Sequence, residues 1–462
     1  MNKIKCILID PPSLEVNISD ELGLKEDKES LACSPPIGLA YIAASLRAGG
    51  FEVKIVDAKS LNMSHKETCK VVLTEKPDLV GITVFTSQLR SALITAGEIK
   101  KNLPSCKIVV GGPHVHPQHG EIIREKDFVD FCVRLEGEIT VVELARALSE
   151  GGDFGGIRGL TFRDADNKVI VNPDRPFIED LDTLPFPARD LLHNHIYRGS
   201  IGFRERARFT YVTTSRGCPF KCRFCSISQF WPRQRRRSVE NVLQEMKETY
   251  ERFQIIYMKF TDEMFVLNKK WVNEFCQGMV DTGLNKKVTW SCDGRVNNVT
   301  EELLRNMKEA NCAVIFYGIE FGNQKILNDS GKRTKIEDIY RAIEITKKAG
   351  ISPTGNFMIG YPTETKETIN DTMRLAIDLD LDFCSFSVVT PFPGSELYYY
   401  CKEKGLLKTK DWEQYNYFHP GESVIRLPDI DDDELMELYR RIQYEYYFRH
   451  MKEELTSELA GF

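Results

Sequence analysis

The chain has 462 residues, 42% of them apolar and 28% charged, which suits a soluble globular protein of about two or three domains and excludes a fibrous or disordered one. Its 62 basic and 68 acidic side chains leave a net charge of −6, so no global field draws it to nucleic acid or anionic lipid, and small molecules are the default partners. No apolar run reaches the ~18 residues of a spanning helix, and the opening Ile4–Ile9 run is too short for a signal peptide, so a cytoplasmic location is expected.

Over residues 1–150 short apolar runs alternate with amphipathic stretches. Ile4–Ile9, Val53–Val56, Leu79–Phe85, Lys107–Val110 and Phe131–Val133 predict strands. A helix from Leu39 to Ala48 follows Pro35-Pro36 and stops at Gly49-Gly50. The alternation implies parallel strands with crossover helices, a doubly wound α/β domain. Residues 151–200 change character. Glycine pairs, a hairpin-like Thr161-Phe162 and Val169-Ile170 around Asp164-Ala165-Asp166-Asn167, and Pro173, Pro176, Pro185 and Pro187 predict a partly ordered linker.

From Phe209 six strand and helix units can be counted over residues 201–400, with strands near Phe209–Thr214, Ile255–Phe260, Val288–Cys292, Ala313–Ile319, Ile351–Ile359 and Phe383–Thr390. Six units predict a partial (β/α)6 barrel, and residues 401–462, with Asp432–Leu459 rich in Glu, Lys, Tyr and Leu, predict a helical appendage.

Ten of the thirteen cysteines are scattered singly (Cys6, Cys33, Cys69, Cys106, Cys132, Cys276, Cys292, Cys312, Cys384 and Cys401) and read as small core residues. Cys218, Cys222 and Cys225 share one loop just after the first barrel strand, at the end of the barrel where active sites lie. Thiolates suit zinc or iron-sulfur clusters, but structural zinc needs four ligands and the nearest histidines, His193 and His195, are far upstream. A four-iron cube held by three cysteines keeps one iron open for a ligand.

The Cys-x3-Cys-x2-Cys spacing, with Phe224 before the last cysteine, resembles the radical SAM superfamily. That resemblance implies a four-iron four-sulfur cluster on Cys218, Cys222 and Cys225, whose open iron holds the methionine part of S-adenosylmethionine (SAM). One electron then splits SAM into methionine and a 5′-deoxyadenosyl radical. Further segments match family positions in order. Thr261-Asp262-Glu263 resembles the acidic segment that meets the SAM amino group, through Asp262 or Glu263; Arg295 matches an arginine after the third strand. Gly318-Ile319-Glu320-Phe321-Gly322 resembles the segment whose acid, here Glu320, meets the ribose, although Phe321 replaces a small residue. Gly360-Tyr361-Pro362-Thr363-Glu364-Thr365 resembles the turn that shapes the adenine side, with Phe224 and Gly360 also at SAM. The plainer reading is that Asp262, Glu263 and Glu320 cap helices or pair with surface cations and that Arg295 anchors a loop.

In the first domain Ile9-Asp10-Pro11-Pro12 stands where a dinucleotide-binding glycine motif would. Pro35–Ala43, Gly111-Gly112-Pro113-His114-Val115-His116 and Arg134-Leu135-Glu136-Gly137-Glu138 look like the Rossmann-like cobalamin-binding domain that precedes many radical SAM barrels. Gly111, Gly112, His114 and Glu136 are then the cobalamin candidates, with His116 nearby, and the glycines would let a bulky ligand approach the backbone. The Asp-x-His-x-x-Gly motif that supplies a cobalt ligand elsewhere is absent. Arg233-Gln234-Arg235-Arg236-Arg237 reads as a solvated or carboxylate-paired face before a docking site for phosphate or an electron donor. The Tyr398-Tyr399-Tyr400 and Tyr444–Tyr447 runs read as packing.

Together the two resemblances imply a cobalamin-dependent C-methyltransferase acting on a small-molecule or natural-product substrate, with a flavodoxin or ferredoxin-type electron donor. A cobalamin-assisted rearrangement, cyclisation or ring contraction without methyl transfer is the second reading, and a non-catalytic cobalamin and cluster sensor the third.

Overall fold

The computed structural model describes residues 4–13, 34–201, 205–416 and 422–460, with side chains described as far as residue 448. Cys33 lies outside the described residues. The chain forms two compact units, the first comprising residues up to Ser200 with Arg206–Val212 and Glu248–Tyr257, the second nearly all of the remainder.

The first unit begins β1 (Lys5–Asp10), α1 (Ile37–Ala48), β2 (Glu52–Asp57), α2 (His65–Glu75), β3 (Leu79–Thr83), α3 (Leu89–Asn102), β4 (Lys107–Gly111), α4 (Val115–Glu125), β5 (Phe131–Val133), α5 (Gly137–Glu150). The five strands are parallel in the order β2-β1-β3-β4-β5. Their side chains alternate between two buried layers. Cys6 and Leu8 join Leu39, Ala43, Val141 and Leu144 of α1 and α5, whereas Ile7 and Ile9 join Val72, Ala92, Ala96 and Ile122 of α2, α3 and α4. A sheet buried on both faces explains the near-continuous apolar runs. The order reverses at β1 and β3, which places a ligand crevice beyond their carboxyl ends.

Within the segment expected as a partly ordered linker, the hairpin-like residues do pair. β6 (Leu160–Arg163) and β7 (Val169–Val171) are an antiparallel hairpin that extends the first sheet beside β5. Strand pairing of a hairpin with a distant strand leaves no local trace beyond the turn itself, which is the Asp164–Asn167 segment where Asn167 has φ 63°.

The second sheet takes its strands from β8 (Arg198–Ile201), β9 (Glu205–Val212), β12 (Tyr257–Phe260), β13 (Thr289–Gly294), β14 (Cys312–Glu320), β15 (Ser352–Ile359) and β16 (Phe383–Val388), in the order β16-β15-β14-β13-β12-β9-β8. β10 (Ser215–Arg216) and β11 (Arg235–Arg236) form a separate two-residue antiparallel ladder. β13 to β16 are mutually parallel. Crossovers are made by α6 (Val239–Phe253), α7 (Lys269–Asp281), α8 (Glu301–Glu309), α9 (Gln324–Asp329) with α10 (Ile336–Lys348), and α11 (Lys366–Asp378). All six expected barrel strands are present, so the α/β class and the partial barrel hold. After α12 (Glu396–Glu403), the long α13 (Asp432–Ala460) closes the chain. Tyr439 donates to Phe386 O at 3.2 Å, Tyr447 to Cys384 O at 2.7 Å and Tyr446 to Leu381 O, so these tyrosines fasten α13 to the β16 edge. Every described single cysteine is buried.

Gly322, just beyond β14, is required by contact. A Cβ there would stand 2.4 Å from Thr372 Cα of α11. Gly322→Ala is expected to destabilise the protein by about 1–3 kcal/mol, the range for overpacking, read as a lowered midpoint of chemical denaturation with an unchanged slope.

Candidate functional site

The cysteine loop is built to be held at its base. The β10–β11 ladder and a hydrogen bond from Cys218 N to Trp231 O, 3.0 Å, close it, and Gly217, at φ +98°, passes so near Arg233 O that a Cβ would lie 2.2 Å away. Arg223 N donates to Ser330 O at 2.9 Å and Leu397 N to Arg223 O at 2.8 Å, which pins the middle of the loop from two other segments. Cys218, Cys222 and Cys225 are half-buried, unlike every other described cysteine. Burial raises the Cys218 thiol and pushes Cys225 up to about 12. Arg295 opposes this at Cys218 and Lys332 at Cys225.

Among the described residues no three His, Cys, Asp or Glu side chains converge on a single metal ion. Three half-buried thiols on one loop fit a cluster whose irons each take one thiolate.

The two acids after β12 have different tasks. Asp262 is 0% exposed, and its oxygens accept from Thr214 N at 2.8 Å and from the hydroxyls of Thr214 and Ser215, with Arg236 3.6 Å away. It ties β12 to the start of the cysteine loop. Glu263 is half-buried and accepts from Gly217 N at 3.0 Å, beside Cys218, and burial pushes its carboxyl up to about 7. Of the pair named from sequence, Glu263 is the one that bonds the cysteine loop beside Cys218.

Arg295, 4% exposed, places its guanidinium 4.1 Å from the centre of the Phe220 ring and donates to Thr334 Oγ1 at 3.4 Å. It thus braces the loop between Cys218 and Cys222. Glu320 has φ +72°, a left-handed backbone at a register shift between β14 and β15, and its Oε1 accepts from Lys332 Nζ at 2.8 Å. Such a conformation in a non-glycine residue persists when its surroundings enforce it, and it concentrates at functional sites.

The aromatic Phe321, the departure from the family pattern, is fully buried and stands edge-on to both Phe224 (6.3 Å) and Tyr361 (5.7 Å). It carries packing from the cysteine loop to the turn after β15. There Gly360, at φ +89°, and Tyr361 donate their N–H groups to Glu364 Oε2 at 2.7 and 2.8 Å. Glu364 is completely enclosed, and burial pushes its carboxyl up to about 8.

Lys332 and Glu364 were not singled out by the sequence. Glu364 stood inside the quoted turn, but Lys332 sits in a basic stretch that reads as surface. The solvated reading of the arginine run is likewise corrected. Arg235 and Arg237 are buried, Arg237 pairs with Glu245, and Arg236 lies 4.5 Å over Trp271 while donating to Phe265 O at 3.0 Å. Pairing, the other half of that reading, is what the structure contains.

In the first unit the candidate residues lie at the carboxyl ends of the parallel strands. His114 is 1% exposed with Nδ1 3.2 Å from Thr86 Oγ1, and burial pushes its imidazole down to about 4. It is neutral, with one ring nitrogen committed to the scaffold. Burial lowers His116 as well. Gly112, at φ +117°, would bring a Cβ within 2.8 Å of Val84 O, so the approach that requires glycine is by the chain's own backbone. Gly111 has only ordinary contact, 3.7 Å to Val133 O. Glu136 accepts from Ile178 N at 2.8 Å, a structural bond. Asp10, the last residue of β1, is pushed up to about 7 by burial and by Asp57, which takes the Tyr197 hydroxyl at 2.7 Å. Beside Asp10, Gln88 keeps a buried Oε1 with no partner among the described residues, and Phe85 is 53% exposed at the end of β3. An orphaned acceptor and an exposed aromatic at the crevice suit a large ligand with amide donors, such as cobalamin.

Residues 212–376 match the model of the radical SAM superfamily, and residues 28–145 match that of the B12 binding domain. An uncharacterized methyltransferase of Pyrococcus horikoshii is 35% identical over 97% of this chain and 94% of its own length. The anaerobic magnesium-protoporphyrin IX monomethyl ester cyclase of Rubrivivax gelatinosus is 31% identical over 88% of this chain and 73% of its own. Among solved structures, the radical SAM methyltransferase TsrM of Kitasatospora setae, with cobalamin and a [4Fe-4S] cluster bound, superposes with a TM-score of 0.71 at 19% identity, covering 87% of this chain and 78% of that one. No helix among the described residues is long and apolar enough to cross a membrane.

The enclosed Glu364 gives a pH test of the site's frame. Its folded-state value lies above that of an exposed glutamic acid, so its stabilising contribution is present below ~4.3 and is lost as pH rises through about 8. Denaturation followed from ~pH 5 to ~pH 9 is expected to show the wild type losing stability relative to Glu364→Gln as pH rises, with the difference constant above the upper value. A difference that does not vary with pH contradicts this. The three-thiol loop on a partial barrel, the crevice on a doubly wound sheet and the likeness along the whole chain have one reading: this protein belongs to the radical SAM enzymes that carry an N-terminal B12-binding domain.

Proposed function

We propose that the chain is a cobalamin-dependent radical SAM methyltransferase acting on an unactivated carbon of a small-molecule substrate. The observation that carries this reading is the three-cysteine loop, with a carboxylate and two buried cations around it, in a chain aligned nearly end to end with a relative named as a methyltransferase. When bound, the cluster and SAM supply a carbon radical and cobalamin supplies the methyl group.

The protein's part is to hold and enclose. Cys218, Cys222 and Cys225 provide the three thiolates. Glu263 accepts from the amino group of SAM, and Glu320 accepts from its ribose hydroxyls. Phe224, braced by Phe321, covers the adenine side with the Gly360 turn. In the first unit the ends of β1, β3 and β4, with His114, Gln88 and Phe85, receive the cobalamin. A flavodoxin or ferredoxin-type protein delivers the electron in the cytoplasm. Cyclisation without methyl transfer is the second reading, favoured by the 31% identity to the cyclase.

Anaerobic purification with cobalamin supplied is expected to give about four irons and one cobalt per chain, and Cys222→Ala to remove the iron and SAM cleavage together. Four irons without cobalt would sink the methylcobalamin reading, and a cluster indifferent to Cys222 would sink the site. A product heavier by one methylene supports methylation; a cyclised product of lower hydrogen content supports the alternative. Within the site, Glu263→Ala is expected to weaken SAM binding by about ten- to hundredfold at unchanged iron content, the range for a hydrogen bond to a charged group. Asp262→Asn instead acts through thermal stability.

A further inference from the structure

The stretch Lys332-Arg333-Thr334-Lys335 reads as a surface turn, and Arg333 and Lys335 are exposed. Lys332 is not: only 7% of it meets solvent. It arrives there because the preceding residues are pressed onto the cysteine loop. Ser330 O holds Arg223 N, and Gly331, at φ +71°, runs so close to Lys221 O that a Cβ would stand 2.7 Å from it. Lys332 N then turns back to Leu327 O at 3.0 Å, ending α9.

The side chain lies across Gly318, where a Cβ would meet its Nζ at 2.9 Å and Glu320 Oε1 at 2.5 Å. Gly318 thereby makes room for the Lys332–Glu320 ion pair at 2.8 Å. The ammonium pairs with Glu320, and the two residues that precede it lie against Arg223 and Lys221 in the middle of the cysteine loop. An ammonium taken out of water is costly unless its surroundings are negative. Here the carboxylate is that of Glu320, on a segment packed beside the cysteine loop.

We propose that Lys332 is a positioning residue that couples the SAM pocket to the cluster: it holds Glu320 in its left-handed pose toward the ribose, and its charge favours the more negative, reduced cluster. This inference rests on the reading that the cysteine triplet carries a cluster to which SAM binds. Two quantities besides turnover then depend on one side chain, the cluster's midpoint potential and the affinity for SAM.

The test uses full-length wild type, K332M and K332R, loaded with iron and sulfide anaerobically and matched for iron content and circular dichroism. Midpoint potentials come from redox titrations followed by electron paramagnetic resonance, and SAM dissociation constants from equilibrium dialysis. K332M is expected to have a more negative potential and about tenfold weaker SAM binding. K332R, which keeps the charge, is expected to restore the potential while leaving SAM binding weakened, because a planar guanidinium does not repeat the point contact over Gly318. K332M with wild-type potential and wild-type SAM affinity overturns the proposal, as does K332R with the K332M potential. Should K332M lose its cluster, K332R decides alone: cluster and potential kept support the proposal, and either lost overturns it. A wild type that takes up no cluster defeats the functional reading itself, whereas a loaded, SAM-binding wild type matched by K332M defeats only the role of Lys332.

Discussion

Charge buried beside the cysteine loop is the constraint around which the second unit is organised. Three thiols in a half-buried loop become anions when they take up iron, and anions in a low-dielectric setting need cations or hydrogen-bond donors close by. Arg295 stands over Phe220, between Cys218 and Cys222, and Lys332 follows residues packed against Lys221 and Arg223; their charges oppose the rise that burial imposes on the Cys218 and Cys225 thiols. Each cation is itself restrained by something other than solvent: Arg295 by the Phe220 face and Thr334, Lys332 by Glu320. The same logic explains Asp262, a fully enclosed carboxylate that persists because Thr214, Ser215 and Arg236 surround it. The loop is placed by neutralised charges on three successive strand ends rather than by apolar packing alone.

Backbone proximity does the remaining positioning. Gly217, Gly318, Gly322 and Gly331 are each too near another atom to carry a Cβ without displacement of the neighbour, and all four lie on the loop or on the segments that touch it. In the first unit Gly112 serves the same end against Val84. A glycine beside a ligand site thus has two readings, room for the ligand or room for the chain. At Gly112 the contact with Val84 decides for the chain, and at Gly111 neither steric demand is present.

Much of this was legible in the residues because it is local. The Cys218–Cys225 spacing is a property of one loop, and strands buried on both faces announce themselves as apolar runs, so the six barrel strands and five parallel strands were found within a few residues of their ends. What was hidden depends on partners distant in sequence. The hairpin at 160–171 is legible from its turn, but its pairing with β5 is not. Lys332, Arg235 and Arg237 look like surface cations until Glu320, Glu245 and neighbouring backbone segments enclose them. Asp262 and Glu263 are adjacent, equal in chemistry and indistinguishable by spacing, yet the strand's alternation turns one inward to Thr214 and leaves the other at the loop.

The two units solve cofactor holding by opposite electrostatic means. Around the cysteines, opposed charges are kept close and restrained, which suits a centre that changes charge by one electron and a ligand, SAM, that carries both signs. At the crevice of the first unit, burial removes charge instead: His114 and His116 are held neutral, and Asp10 is driven toward its protonated form beside Asp57. A crevice with the Gln88 side-chain oxygen unpartnered among the described residues and Phe85 exposed favours a large ligand recognised through amides and apolar area.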